Sequence, residues 1–198
     1  MTNLNLDHET LAKLKWVTNN SPDNCFCFLG FSLDLQTGDL QDGLQEKTDS
    51  PKLKDPTMYQ EIAELLMKYA LAGKQTLAGK LVKFKSFPGG YAYENAFHRR
   101  IVEPIGKLFG RNPKELIKAA EMLGGKQLGH GDCSVEIEML KGIPITIVLW
   151  TDEELPPTAN VLFDESAGKY LNVEDLSGLS DLTTWRLSVA QSLLKETV

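Results

Sequence analysis

Between Val135 and Trp150 two different hydrophobic patterns meet at a glycine, and this pair narrows the folds open to the chain more than any other feature. Val135, Ile137 and Met139 alternate with Glu136 and Glu138, the period of a strand that is wet on one side. After a turn at Gly142, Ile145-Thr146-Ile147-Val148-Leu149-Trp150 is apolar almost throughout. A run of that kind belongs in the middle of a sheet, covered on both faces. Asn160-Val161-Leu162-Phe163 adds a shorter strand. Nearer the start, Cys25 to Leu29 and Phe31 to Leu35 read as strands, and Gln36-Thr37-Gly38-Asp39 is a hairpin turn in which Gly38 can take a positive φ.

Helical periodicity fills most of the remainder. Asp7 can cap a short helix carrying Leu11, Leu14 and Val17. Asp55-Pro56 opens a second, with Ile62, Leu65, Leu66 and Tyr69 as its buried stripe and Gly73 as its stop. Leu81 to Phe87 is extended and ends at Pro88-Gly89-Gly90. The helix after it shows Tyr93, Phe97, Ile101, Ile105 and Leu108 on one face, and Pro104 must kink or split it. Asn112-Pro113-Lys114-Glu115 is a capping box for the next helix, which stops at Gly124-Gly125. A brief helix follows Asn172, and Leu182, Trp185, Val189 and Leu193 mark a final one. The expected fold is α+β: one domain over residues 1–198, with a small, mainly antiparallel sheet flanked by several helices.

The charge is unevenly spread. From Lys68 to Lys126 there are 12 Lys and Arg against 4 Asp and Glu, while the rest of the chain has 9 basic against 23 acidic residues, within a net charge of −6. An acidic total argues against a general nucleic-acid binder; a basic middle argues for an anionic partner. No apolar run approaches the ~20 residues that span a bilayer. The polar start, Met1 to Asp7, lacks a basic-then-apolar signal. Three cysteines, Cys25, Cys27 and Cys133, are an odd number suited to a reducing compartment. The expectation is therefore a cytoplasmic protein with no membrane partner.

Phe87-Pro88-Gly89-Gly90, Phe97-His98-Arg99-Arg100 and Trp150-Thr151-Asp152-Glu153-Glu154-Leu155-Pro156-Pro157 follow one another along the chain, and Leu162-Phe163-Asp164 and Tyr170 to Leu176 come after them. In this order they resemble the DUF3786 family, a bacterial and archaeal family of unknown function. The resemblance covers most of the chain and is most specific in its C-terminal block. It implies a cytoplasmic protein of largely anaerobic organisms. Some members carry an additional iron–sulfur domain and some are labelled tRNA-binding. The resemblance supplies no catalytic residues, and this chain has no cysteine array for a cluster.

Three groups of residues invite a chemical reading. Lys80, Lys83, Lys85, Arg99, Arg100, Lys107 and Arg111 are interleaved with Phe84, Phe87, Tyr91 and Tyr93. Aromatic rings beside cations hold single-stranded nucleic acids. Gly89 and Gly90 allow a ligand close to the backbone, and Arg99 and Arg100 offer guanidinium forks to phosphate or carboxylate. The alternative is that the aromatics are core and the cations a solvated face. Asp152, Glu153 and Glu154, joined by Asp164 and Glu165, form an acidic group after the central strand. They can hold a hard cation or divide into acid and base; the alternative is a polar loop in which Asp164 caps the next segment. His130 and Cys133, with Cys25 and Cys27, supply soft-metal ligands without the usual zinc spacing; buried cysteines acting as small hydrophobes are the alternative.

Nucleotide P-loop, dinucleotide-fold, zinc-protease and serine-hydrolase motifs are all missing. These readings combine into a non-catalytic binding protein for an anionic partner, held by Lys83, Lys85, Gly89, Gly90, Arg99 and Arg100. RNA, in particular tRNA, is the specific version and a phosphorylated metabolite the general one. The rival is an enzyme with an acidic, metal-dependent site at Asp152, Glu153, Glu154 and Asp164. No cofactor or structural metal is expected.

Overall fold

The computed structural model describes residues 1–18, 24–44, 56–151 and 156–196. Asp55, Asp152, Glu153, Glu154 and Leu155 lie outside the described residues, and with them the Asp55 cap and the acidic turn.

The chain is α+β with antiparallel sheets flanked by helices, and its strands fall into two sheets. The first contains β1 (Thr2–Asn3), β2 (Cys25–Phe28), β3 (Phe31–Asp34) and β4 (Asp39–Asp42) in the order β1-β4-β3-β2. The second contains β5 (Leu81–Lys83), β6 (Lys126–Leu128), β7 (Cys133–Leu140), β8 (Ile143–Trp150) and β9 (Thr158–Asp164) in the order β5-β9-β8-β7-β6. The central position of β8 follows from its composition. Every residue from Ile145 to Leu149 is buried, so the strand needs partners on both edges and cover on both faces. β7 alternates as read, with Val135, Ile137 and Met139 buried, Glu136 half-buried and Glu138 exposed. Pro144 has no N–H to give the ladder, and a register shift between Glu138 and Leu140 accommodates it.

The helices are α1 (His8–Leu14), α2 (Pro56–Ala72), α3 (Gly90–Phe97), α4 (Glu103–Phe109), α5 (Pro113–Met122) and α6 (Val173–Glu196). Asp7 caps α1 by accepting from the Thr10 amide at 2.6 Å. The stripe Ile62, Leu65, Leu66 and Tyr69 of α2 is buried, and Gly73 ends the helix with a φ of +61°. Asn112 and Glu115 do not form a capping box at α5. The Asn112 side chain makes no cap hydrogen bond and instead donates to Glu115 Oε1 at 2.9 Å.

α6 differs from the expected pair of helices: it runs unbroken for 24 residues through Gly178. The hydroxyls of Ser180, Thr183 and Thr184 bond back to carbonyls four residues earlier, which absorbs their polarity inside the helix. One connected apolar cluster takes in residues of both sheets and all the helices, from Leu4 to Leu193.

Arg186 heads the large side chains that are fully buried among the described residues. Its Nη1 and Nη2 donate to Asp42 Oδ2 and Oδ1 at 2.8 and 2.7 Å, and its Nε donates to the Leu29 carbonyl at 2.8 Å. The guanidinium stacks 4.1 Å from the centre of the Phe31 ring. Leu29 and Gly30 turn the β2–β3 hairpin with φ of +47° and +77°, and a Cβ on Gly30 would sit 2.9 Å from Arg186 Nη2. α6 is thereby fastened to the first sheet through a charge pair in which each guanidinium nitrogen donates a hydrogen bond, the arrangement that makes burial of charge tolerable.

Candidate anion-binding cleft

Residues 90–109 form one helical rod interrupted by a π turn at His98–Val102. The turn stands immediately before Pro104. Proline has no N–H and its ring collides with the carbonyl four residues earlier. A wider i→i−5 turn, in which the Glu103 amide donates to the His98 carbonyl, moves that carbonyl register away. The expected kink at Pro104 is thus resolved as a π turn. At the start of the rod Gly89 takes a φ of +81°, and a Cβ on Gly90 would lie 2.3 Å from the Phe84 carbonyl oxygen. Both glycines are needed for the chain to fold back over the 3₁₀ turn Phe84–Ser86.

The basic middle does not form one surface with its aromatics. Phe84, Phe87 and Phe97 are buried, with Phe84 and Phe97 stacked at 4.0 Å between ring centres. Tyr91 and Tyr93 are 83% and 52% exposed, and Tyr93 therefore leaves the helix face assigned to it from sequence. Several cations are spent within the molecule. Lys68 pairs with Asp175, Lys80 with Glu165, Arg100 with Asp181 and Lys126 with Glu136. Each pair ties the basic stretch to the acidic C-terminal part. Lys83, Lys85 and Arg99 are exposed and form no ion pair among the described residues.

Asp164 is 4% exposed and takes the capping alternative. Its oxygens accept from the amides of Ala78 and Gly79, both at 2.8 Å, and from the Ser166 amide and hydroxyl. Burial pushes its carboxyl up, but the hydrogen bonds from Ser166, Ala78 and Gly79 outweigh burial and hold it below the usual carboxylate range. Those donors leave it little capacity for a cation. Glu165 is exposed and paired with Lys80 at 2.7 Å.

Among the described residues, the soft-metal residues do not assemble into one group either. Cys133 is buried on β7, its Sγ donating to the Pro113 carbonyl at 3.3 Å, and burial raises its thiol. The His130 amide donates to Ser134 Oγ at 2.8 Å. Cys25 and Cys27 are not buried as the strand reading suggested: Phe26 and Phe28 take the inward face and the thiols face outward. No group of three or more His, Cys, Asp or Glu suited to a metal occurs among the described residues.

A cleft of about 820 Å³ opens where the π turn, α4, the start of α5, the start of β9 and the end of α6 meet. Its wall depends on two glycines. Pro157 packs on the α4 backbone so closely that a Cβ on Gly110 would lie 2.2 Å from Pro157 Cβ, and one on Gly106 would lie 3.4 Å from the Pro157 carbonyl. The floor is a fixed polar network: Gln191 Nε2 donates to the Leu108 carbonyl and to Glu115 Oε2, both at 2.7 Å. Glu115 Oε1 is occupied by Asn112, so this carboxylate is satisfied on both oxygens. Glu103 is shared between His98 Nδ1 and Lys107 Nζ, each at 3.4 Å.

Arg111 and Lys195, which also line the cleft, are exposed and have no ion-pair partner among the described residues. Among the described residues, the uncommitted charge at the opening is therefore positive. Sequence reasoning picked out His98, Lys107 and Arg111 but missed Glu115, Gln191 and Lys195. These lie on two helices that meet only through tertiary packing; the local pattern at Glu115 read as a helix cap, and none marks Gln191 or Lys195.

A family model described as a domain of unknown function (DUF3786) matches residues 37–186. No curated protein and no solved structure matches the chain.

Proposed function

The chain belongs to the DUF3786 family, whose description carries no activity, and we propose from the cleft itself that it binds a small anionic molecule, a phosphorylated or carboxylated metabolite. The observation that carries this reading is the 820 Å³ cleft, in which Arg111 and Lys195 at the opening have no ion-pair partner among the described residues and the glutamates inside are already engaged. The volume is that of a pocket for a single small ligand. Arg111 supplies a planar fork for two oxygens, and Lys195 supplies a point charge. His98 on the π turn adds a ring that can donate to, or exchange a proton with, the same ligand.

RNA is the weaker version of the same idea. The phenylalanines that would stack bases are core, and Lys68, Lys80, Arg100, Lys107 and Lys126 of the basic stretch are paired internally. Lys83, Lys85 and Arg99 remain available to a polyanion, so the two versions make separable predictions.

Calorimetric titration with inorganic phosphate, sugar phosphates, nucleotides, di- and tricarboxylates and bulk tRNA tests them. One-to-one binding of a small anion is expected, weakened about tenfold or more by Arg111→Ala, the scale of one charge-assisted hydrogen bond of ~1.5–3 kcal/mol. A Lys83→Ala/Lys85→Ala variant should bind as the parent does. Binding of tRNA alone, falling steeply with salt as counterion release requires, would replace the small-ligand reading.

A further inference from the structure

β2 is the outer strand of the four-stranded sheet. Its alternation puts Phe26 and Phe28 into the core and places both Cys25 and Cys27 on the opposite face. Cys27 is exposed, Cys25 is half-buried, and both are free thiols. Ser32 is the cross-strand partner of Cys27. Its hydroxyl touches Cys25 Sγ and lies 3.9 Å from Cys27 Sγ. One oxygen thus marks the place on which both sulfurs converge.

Alternate residues of a strand are ~6.6 Å apart at about 3.3 Å per residue. A disulfide would stretch to the upper end of its Cα range, about 6.8 Å, and would have to bend the strand. A metal ion between the sulfurs asks for less. Two thiolate bonds of the ~2.3 Å length familiar from zinc need a sulfur separation of about 4.6 Å, which side-chain rotation can supply. Zinc itself takes four ligands, and no group of three or more candidate ligands is present among the described residues. Asp34, the cross-strand partner of Cys25, spends its Oδ1 on the amides of Gln36 and Thr37 at 2.6 and 3.2 Å.

We infer that Cys25 and Cys27 are a two-thiolate site for a soft, monovalent d¹⁰ cation, of which Cu(I) is the representative. Thiolates select such ions over hard ones, and two-coordinate geometry suits a strand face that offers two sulfurs. Two S–H bonds break and two metal–sulfur bonds form, both protons pass to solvent, and no electron moves. The Ser32 hydroxyl can donate to a thiolate once its proton has left, which steadies the charge on the sulfur pair.

The test is an anaerobic titration of the reduced chain with Cu(I) against a chromogenic competing chelator, followed by X-ray absorption at the copper edge. One equivalent is expected, with two sulfur neighbours. Cys25→Ser and Cys27→Ser should each lose that equivalent, and Cys133→Ser should keep it. Both substituted positions lie on the outer face of β2, and the serine variants should melt at the parent temperature, which separates lost ligands from lost fold. The site is overturned if the parent retains no copper, if the Cys25→Ser/Cys27→Ser double variant retains the same equivalent, or if copper has three or four sulfur neighbours.

Discussion

Arg186 and Asp42 show how much one pair of residues can determine. Both are effectively sealed from water, with side-chain exposures of 0% and 3%. Asp42 also accepts the Leu44 amide at 2.9 Å, so its carboxylate is bonded to the backbone as well as to the guanidinium. Replacing Asp42 by Ala would leave a guanidinium buried without its counter-charge, and a cost of about 3–5 kcal/mol is expected. A paired apolar replacement, Asp42→Leu with Arg186→Met, should recover much of that loss, because it removes both charges from the interior together. Urea unfolding of the single and double variants measures the difference. Equal destabilisation by the single and double changes would refute this account. Nothing in the sequence marked this pair. Its members are 144 positions apart, and an arginine among Leu182, Trp185 and Val189 reads like any residue on the wet side of a helix.

Among the elements, the rod from Gly90 to Phe109 shows a local rule satisfied in an unexpected way. A proline inside a regular helix costs ~3 kcal/mol; here the π turn ahead of it already takes up the misfit. Pro104→Ala is therefore expected to change stability by less than about 1 kcal/mol in equilibrium unfolding, whereas a gain near 3 kcal/mol would mean that the proline is straining the rod. Several elements were legible from residue pattern alone: the hairpin at Gly142, the buried β8, the stripe of α2 and the stops at Gly73 and Gly124. Each rests on neighbours within a few positions. The joining of two predicted helices into α6 was not legible, because Gly178 and the Ser and Thr residues that weaken a helix locally are offset by packing and by hydroxyl-to-carbonyl bonds. The cleft was half legible. His98, Lys107 and Arg111 stood within one basic stretch, but the opposing wall comes from α6 and from Pro157.

Across the whole molecule, the charge asymmetry of the sequence turns into stitching. Lys68, Lys80 and Arg100 reach acids far along the chain and Lys126 reaches Glu136 on the next strand, and such exposed pairs contribute little individually. Titration should instead set the limits of stability. Hydrogen bonding holds Asp7, Asp39 and Asp164 below the usual carboxylate range. Their stabilisation is complete above the unfolded value of about 4 and is lost as pH falls through the folded values. Burial raises Cys25, Cys133, Tyr69 and Tyr170, while hydrogen bonding to carboxylates raises Lys68 and Lys126. All of these keep protons in the folded state that the unfolded chain releases, so stability declines as pH rises past about 8.5 for the thiols and about 10 for the others. Melting temperature should be level between about pH 4.5 and 8.5 and fall on either side; a maximum below pH 4 would contradict these assignments.

The Arg186 clamp also has a meaning in time. A ribosome makes Asp42 and the Leu29–Gly30 turn long before it makes α6, and until then the carboxylate awaiting Arg186 has no guanidinium to pair with. The first sheet is thus left unlocked during most of synthesis, and closing so long a loop is entropically slow. A nascent chain halted before Arg186 should remain protease-sensitive in its N-terminal strands, however much of the second sheet has already emerged.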